Sequence, residues 1–337
     1  MDTLYLRRLD RWLWPLAVRL GRLGASLTPR RPDTTRPLIL RPGGMGDLIL
    51  LCVAIEELGL DPRGFAWLIE GRSAPWARHL GLEFACYDEA PLRTIQGLAA
   101  SHSVVVNTEQ RYGLSQAVAV LARSGAGRLF AFDTNLAAAW ADHVVRYDPL
   151  EAHETIEFGR LLAAALAPGR DVARPVRRRR TPATERPLVG IGGLQAASRR
   201  LGEDRWLEIV RAWSRGRELH VSAAPADREF ARRLCAHFDG RAELFEGNFD
   251  AVCDLIRRSS EVLTIDSGFM HIASYYGVPV TSIFTSSREK KWASLSPGSH
   301  IVRRSDLSCQ PCALYAVVPP CPYAFACRDV EFARDLR

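Results

Sequence analysis

Seven leucines open the chain at alternating spacings of three and four: Leu6, Leu9, Leu13, Leu16, Leu20, Leu23 and Leu27. That rhythm lays all seven along one stripe of a helix. Arg7, Arg8, Arg11, Arg19 and Arg22 fall off the stripe, Trp12 and Trp14 add amphipathic bulk, and Pro15 kinks or divides the helix. The pattern suits a helix lying on a membrane surface, and equally one docked on its own domain or on a partner subunit.

From residue 37 the period changes to strand, loop, helix. Leu38–Arg41 reads as a short buried strand, Pro42-Gly43-Gly44-Met45-Gly46-Asp47 as a tight loop, and Leu48–Leu58 as a helix. Further strands are expected at Phe65–Ile69, Val104–Asn107, Leu129–Phe132 and His143–Arg146, with helical stretches between them. Such alternation implies a parallel sheet covered on both faces. Pro168, Pro175, Pro182 and Pro187, with the run Arg177–Arg180, then break the pattern and mark a linker. The arginine run is either a solvated stretch or a contact for lipid or phosphate. A second series follows, with strands at Leu188–Ile191, Glu218–Ser222, Glu261–Ile265 and Val278–Phe284 and a helix at Glu203–Trp213. The organisation read from this is a basic amphipathic arm (1–31), a first α/β domain (36–170), a linker (171–186) and a second α/β domain (187–337). Two such halves are expected to leave a cleft, with ligands at the C-terminal ends of the strands.

Composition sharpens this in three ways. A length of 337 residues suits two domains, and 47% hydrophobic with 25% charged residues is ordinary for a globular chain. No apolar run reaches the roughly 18 residues a membrane-spanning helix needs, and the N-terminus lacks the continuous apolar core of a signal peptide, so a cytoplasmic protein is expected. The net charge of +7 is concentrated: residues 1–31 carry seven Arg against two Asp, and residues 170–186 carry seven Arg against one Asp and one Glu. A nucleic-acid face would spread its charge through a folded domain. The pattern therefore points away from nucleic acid, and fits an anionic membrane surface, such as the inner face of an inner membrane, or solvated segments.

Four places carry chemistry. In the first, Gly43, Gly44 and Gly46 turn the chain sharply from strand to helix, and Asp47 stands where the helix begins, as a reactive carboxylate or as a helix cap. The second is Asp266-Ser267-Gly268-Phe269-Met270-His271, between an apolar strand and a helix. Ser267 and Gly268 would offer backbone N–H groups to an anion such as a diphosphate, with His271 within reach; ordinary capping by Asp266 is the other account. In the third, Gly192-Gly193 precedes Ser198-Arg199-Arg200, whose guanidinium groups could meet phosphate from the other side. The fourth is Cys309-x2-Cys312-x8-Cys321-x5-Cys327, four Cys among several Pro. Spacing alone leaves a structural zinc or iron, unliganded thiols, an iron–sulfur cluster, or disulfides. Cys52, Cys86, Cys235 and Cys253 lie among apolar neighbours and read as buried free thiols.

Taken together, these segments resemble glycosyltransferase family 9, the ADP-heptose:lipopolysaccharide heptosyltransferases, from about Leu38 to Arg328. The closest part is Asp266-Ser267-Gly268-x-x-His271-x-Ala273-x-x-x-Gly277-Val278-Pro279. Arg41-Pro42-Gly43-Gly44-Met45-Gly46-Asp47 looks like the family's opening motif, and Gly192-Gly193 through Trp206 like its third. The chain departs from the family at Arg199, where Lys is usual, and at Leu201, where Trp is usual; Arg meets phosphate as a planar fork where Lys is a point charge. Ser222-Ala223-Ala224-Pro225 also lacks a Gly expected at the strand end.

The resemblance implies an α/β GT-B fold, two Rossmann-like domains facing a central cleft, with the acceptor on the N-terminal domain and the nucleotide on the C-terminal one. It implies inverting transfer of a heptose or related sugar from ADP-heptose to a lipopolysaccharide core or other glycan or glycolipid acceptor, as part of lipopolysaccharide biosynthesis. Asp47 would be the base; Arg199, Asp266, Ser267, Gly268 and His271 would hold the donor diphosphate; Gly43, Gly44 and Gly46 would support the base. No catalytic cofactor or metal is implied, and related Cys clusters in the family favour a structural zinc or iron at Cys309, Cys312, Cys321 and Cys327. A GT-B transferase with another sugar nucleotide or a protein acceptor, and a sugar-nucleotide-binding scaffold without turnover, are the competing readings, with an iron–sulfur electron carrier behind them.

Overall fold

In a computed structural model the described residues are 35–90, 94, 97–98, 101–111, 127–172, 185–194, 196–314 and 318–336. The leucine-striped arm and the arginine run of the linker lie outside them. Residues up to Asp148 and those from 154 to 172 form one compact unit; Pro149–His153 and the residues from Glu185 onward form a second.

The first unit is built on six parallel strands: β1 (Leu38–Arg41), β2 (Ala66–Ile69), β3 (Glu83–Cys86), β4 (Val104–Asn107), β5 (Arg128–Phe132) and β6 (His143–Val145), in the order β3-β2-β1-β4-β5-β6. Leu38 stands opposite Ala66 on one side and Val105 on the other. The continuous apolar runs of β1, β2 and β4 follow from burial on both faces. Helix α1 (Met45–Glu57) has no polar stripe: Leu48 to Ile55 are all buried, between the sheet and helix α2 (Glu154–Leu166), whose Phe158, Leu161 and Leu162 are fully buried. It starts three residues earlier than the sequence suggests, because Gly44 is its N-cap and takes Met45, Gly46 and Asp47 into the first turn.

The second unit repeats the plan. Strands β7 (Leu188–Ile191), β8 (Leu219–Ala223), β9 (Ala242–Leu244), β10 (Val262–Ile265), β11 (Val280–Ile283) and β12 (His300–Val302) are parallel, in the order β12-β11-β10-β7-β8-β9. Counted from β7 and read from the other edge, this is the same arrangement as in the first unit, the doubly wound order of a dinucleotide-binding sheet. Its core gathers Val189, Ile191, Leu263 and Ile265 from the sheet with Trp206, Ile209, Val210 and Trp213 of helix α3 (Glu203–Ser214). The helix after β10, α4, spans Gly268–Tyr275. No helix among the described residues is long and apolar enough to cross a membrane.

Strands β3, β9 and β12 escape the sequence reading. All three are at sheet edges and only partly buried, so their sequences lack the apolar run that betrays the central strands.

The second unit also holds His153, which is buried and whose Nε2–H donates to the Ala293 carbonyl at 3.0 Å. Burial pushes its pKa down from 6.5 to about 4, and the charges of His271 and Lys291 add to this. The imidazole is therefore neutral when folded, whereas the unfolded chain binds a proton below about 6.5. Stability is complete above that value and falls as the pH drops toward 4, by roughly 3 kcal/mol for the whole window. Urea titrations at pH 7 and pH 4.5 should show the loss, and His153→Gln should reduce it. An unchanged pH slope in that variant would assign acid sensitivity to other groups.

Candidate active site

In the first unit the strand order reverses between β1 and β4, and the loops leaving these two strands meet there. The last residue of β1, Arg41, is 3% exposed. Its Nη2 donates to Asp47 Oδ2 at 2.9 Å, and its Nη1 donates to the Thr108 carbonyl at 2.9 Å and to Gln110 Oε1 at 3.4 Å, both just past β4. The guanidinium carbon lies 5.3 Å from the centre of the Phe158 ring. Burial alone would lower the pKa of Arg41, but Asp47, Glu109 and Glu154 outweigh it and hold it above its ordinary value. Behind this pair, Glu154 is fully buried and accepts from Gln110 Nε2 and, at 2.8 Å, from the Tyr147 hydroxyl. Burial and Glu154 together push the Tyr147 phenol upward, so it stays a donor.

Asp47 is in the first turn of α1, with a side chain about one-quarter exposed. Its carboxylate goes to Arg41, while the N-cap position belongs to Gly44. The capping account of Asp47 therefore does not describe this carboxylate.

The second unit presents its own reversal point, between β7 and β10. Asp266 follows β10 and is nearly buried; its Oδ2 is 3.0 Å from Arg199 Nη2 and its Oδ1 is 3.9 Å from His271 Nε2. Asp266 does not cap α4 either. Ser267 is the N-cap, and its side chain makes no bond to the first turn. The Ser267 hydroxyl instead meets Thr264 Oγ1 at 3.0 Å, which is itself tied to the Gly190 carbonyl at 2.7 Å. The first-turn N–H groups thus have no side-chain cap, which is the arrangement an anion needs.

Of the glycines after β7, Gly193 has φ = +79°, a conformation other residues adopt poorly. Gly190, inside β7, serves packing: a Cβ there would sit 2.6 Å from the Phe269 ring. An open cavity of about 730 Å³ begins one residue beyond Arg199, lined by Arg200, Leu201, Leu194, Asp227, Phe230 and Arg328.

All four C-terminal cysteines line one small cavity with Gln310 and Phe325, and the Phe325 N–H donates to Cys321 Sγ at 3.3 Å. Burial, and then Cys312, Cys321 and Cys309, push the Cys327 thiol up to about 11. The four are free thiols, and no group of three or more Cys, His, Asp or Glu among the described residues is drawn together closely enough to hold a metal ion. Of the scattered cysteines, Cys52, Cys86 and Cys253 are buried and Cys235 is half-buried, all without disulfides.

The sequence reading brings out Asp47, Arg199, Asp266, Ser267, Gly268 and His271, and the structure collects them into two clusters, one in each unit. It misses Arg41 as a working residue, and with it Gln110, Tyr147 and Glu154. Arg41 stands in the quoted motif and carries a signal, a charged residue ending an otherwise apolar strand. Glu154 carries none, being 113 positions further along the chain.

Two doubly wound parallel sheets, each with charged side chains at its own reversal point, are the architecture of the GT-B fold. Residues 94–317 match the model of glycosyltransferase family 9 (heptosyltransferase), and the chain belongs to that family. Among solved structures, ADP-heptose lipopolysaccharide heptosyltransferase II of E. coli is similar, at 13% identity and a TM-score of 0.61, over 81% of this chain and 91% of that one. The family 9 glycosyl transferase of Veillonella parvula matches at 13% identity and 0.63, over 84% and 92%. TibC, an iron-containing dodecameric heptosyltransferase from enterotoxigenic E. coli solved with ADP-D-β-D-heptose, matches at 16% and 0.51, over 90% and 75%. At such identities the likeness is one of fold. No curated protein matches the sequence.

Proposed function

We propose that this chain transfers a heptose, or a closely related sugar, from its ADP derivative to a hydroxyl of a lipopolysaccharide core or similar glycan, with inversion at the anomeric carbon. The observation that carries the reading is the pair of reversal-point clusters: a carboxylate about one-quarter exposed in one unit, and in the other a guanidinium and an imidazole beside Asp266 at a helix N-terminus without a side-chain cap. The names of the solved relatives, two of which carry ADP-heptose, support the donor.

In this mechanism the acceptor is bound by the first domain (36–170) and the nucleotide by the second (187–337). Asp47 takes the proton of the acceptor hydroxyl as its oxygen attacks the anomeric carbon. The bond from that carbon to the diphosphate breaks, and ADP leaves with the electron pair. Arg199, His271 and the N–H groups of Ser267 and Gly268 stabilise the charge that develops on the diphosphate. Asp266, itself an anion, acts by holding Arg199 and His271 in place. The cavity beyond Arg199 has room for the nucleoside. Fixed cations and dipoles do the work for which other transferases use a metal. The basic arm (1–31) would bring the enzyme to the anionic membrane where glycolipid acceptors reside.

The reading is tested by thermal shift with ADP, GDP and UDP. ADP at about 100 times its dissociation constant should add about 2.7 kcal/mol and exceed the other two. A clear preference for UDP would overturn the ADP-linked sugar as donor.

We propose that the four cysteines, which line one cavity but are not drawn to ligand distance of one another here, close around a structural zinc or iron. Its donors are all thiols, they face one space, and a backbone N–H already points at one sulfur, as soft metals favour. Cys309, Cys312, Cys321 and Cys327 would hold the ion as thiolates and pin the C-terminal loop. Elemental analysis of fresh protein should find one ion per chain, and chelation should lower the melting temperature by several degrees before it changes turnover. Four freely titratable thiols with little metal would defeat this.

A further inference from the structure

We propose that Arg41 is a positioning residue for Asp47, holding its carboxylate in the one attitude from which it can take a proton. The proposal rests on the reading of Asp47 as the base. Three observations carry it.

Arg41 is nearly buried, yet it spends its donors on two different loops: Nη2 on Asp47 after β1, and Nη1 on Thr108 and Gln110 after β4. The guanidinium plane is therefore fixed before any ligand arrives, and the Phe158 ring backs it at 5.3 Å. Second, only Oδ2 of Asp47 is tethered. Among the described residues Oδ1 has no hydrogen-bond partner, and the side chain is one-quarter exposed, which leaves the carboxylate within reach of an acceptor hydroxyl.

The third observation is Gly43. A Cβ there would stand 2.6 Å from Arg41 Nη2, 3.2 Å from Cζ and 3.3 Å from Nε. The loop between β1 and α1 carries Gly at this position so that the guanidinium can fold back beneath it. The glycines of this loop read from sequence as a sharp turn; at Gly43 what also comes close is the protein's own arginine. A lysine at 41 could reach Asp47 but could not bridge to Thr108 and Gln110 at the same time, because it lacks the rigid fork.

The test is steady-state kinetics on the full chain with ADP-heptose and a lipopolysaccharide-core acceptor, with ADP-induced thermal shift as a check of folding. Arg41→Met should lower kcat about 100-fold, the usual cost of a misplaced reacting group, while KM for ADP-heptose and the ADP shift stay at parental values. Arg41→Lys should recover part of the loss, to about tenfold below the parent. Gly43→Ala should reproduce the Arg41→Met defect even though the arginine is present; it also carries the test if Arg41→Met does not fold. Variants of either residue that keep kcat within about threefold of the parent, while Asp47→Asn is inactive, would overturn the positioning role alone. An active Asp47→Asn would remove the base on which it rests.

Discussion

Asp47→Asn is expected to abolish transfer while ADP binds as tightly as to the parent chain. The amide keeps the volume of the carboxylate, and its oxygen can still accept from Arg41 Nη2 where Asp47 Oδ2 now does at 2.9 Å. What it cannot do is take a proton. Loss of a general base costs about 10²- to 10⁴-fold, so turnover should fall by that factor and KM for the donor should not move. The substitution also removes one of three carboxylates that surround the buried Arg41 guanidinium. A lower melting temperature is expected for that reason, and it must be measured separately from activity. If Asp47→Asn retains most of its turnover, Asp47 is only the ion-pair partner of Arg41.

Arg199→Ala and His271→Ala should each weaken ADP binding by roughly 10- to 100-fold, the worth of a charge-assisted hydrogen bond of about 1.5–3 kcal/mol. Adenosine, which lacks the diphosphate, should lose far less. Arg199→Ala has a second effect, because it leaves the nearly buried Asp266 carboxylate without the guanidinium 3.0 Å away. Arg199→Lys separates the two. It restores a cation for Asp266 and for phosphate, and should recover most of the stability and part of the affinity. Equal losses for ADP and adenosine in all three variants would mean that these residues act through folding.

The central strands are legible in the sequence because they are buried on both faces, so Leu38–Arg41, Val104–Asn107 and Leu188–Ile191 need no context to be recognised. The motifs at Asp47 and Asp266 are legible because a turn from strand to helix leaves glycine, serine and aspartate in a short window. Partners that come from elsewhere in the chain are not legible. Asp47 in a first turn reads as a cap until Arg41 is seen beneath it, and Asp266 reads the same way until Arg199 is placed at its side. Glu154 is fixed by Gln110 and Tyr147 through folding alone. The edge strand Glu83–Cys86 begins with an exposed glutamate and is half-buried at its centre, so its sequence resembles a loop.

The chain visits the second unit at Pro149–His153 before α2 returns to the first, and this fixes an order of events on the ribosome. All six strands of the first sheet have been synthesised by Val145, but the face of α1 that α2 covers still has no partner, and Arg41 still lacks Glu154 and Phe158. A chain ending at Asp148 would therefore display a leucine-rich helix face and an arginine without two of its neighbours. Completion waits for about one more helix to leave the exit tunnel. A chaperone that holds exposed apolar helices would have its window there, and a fragment cut at the last strand of the first sheet would be the one that aggregates.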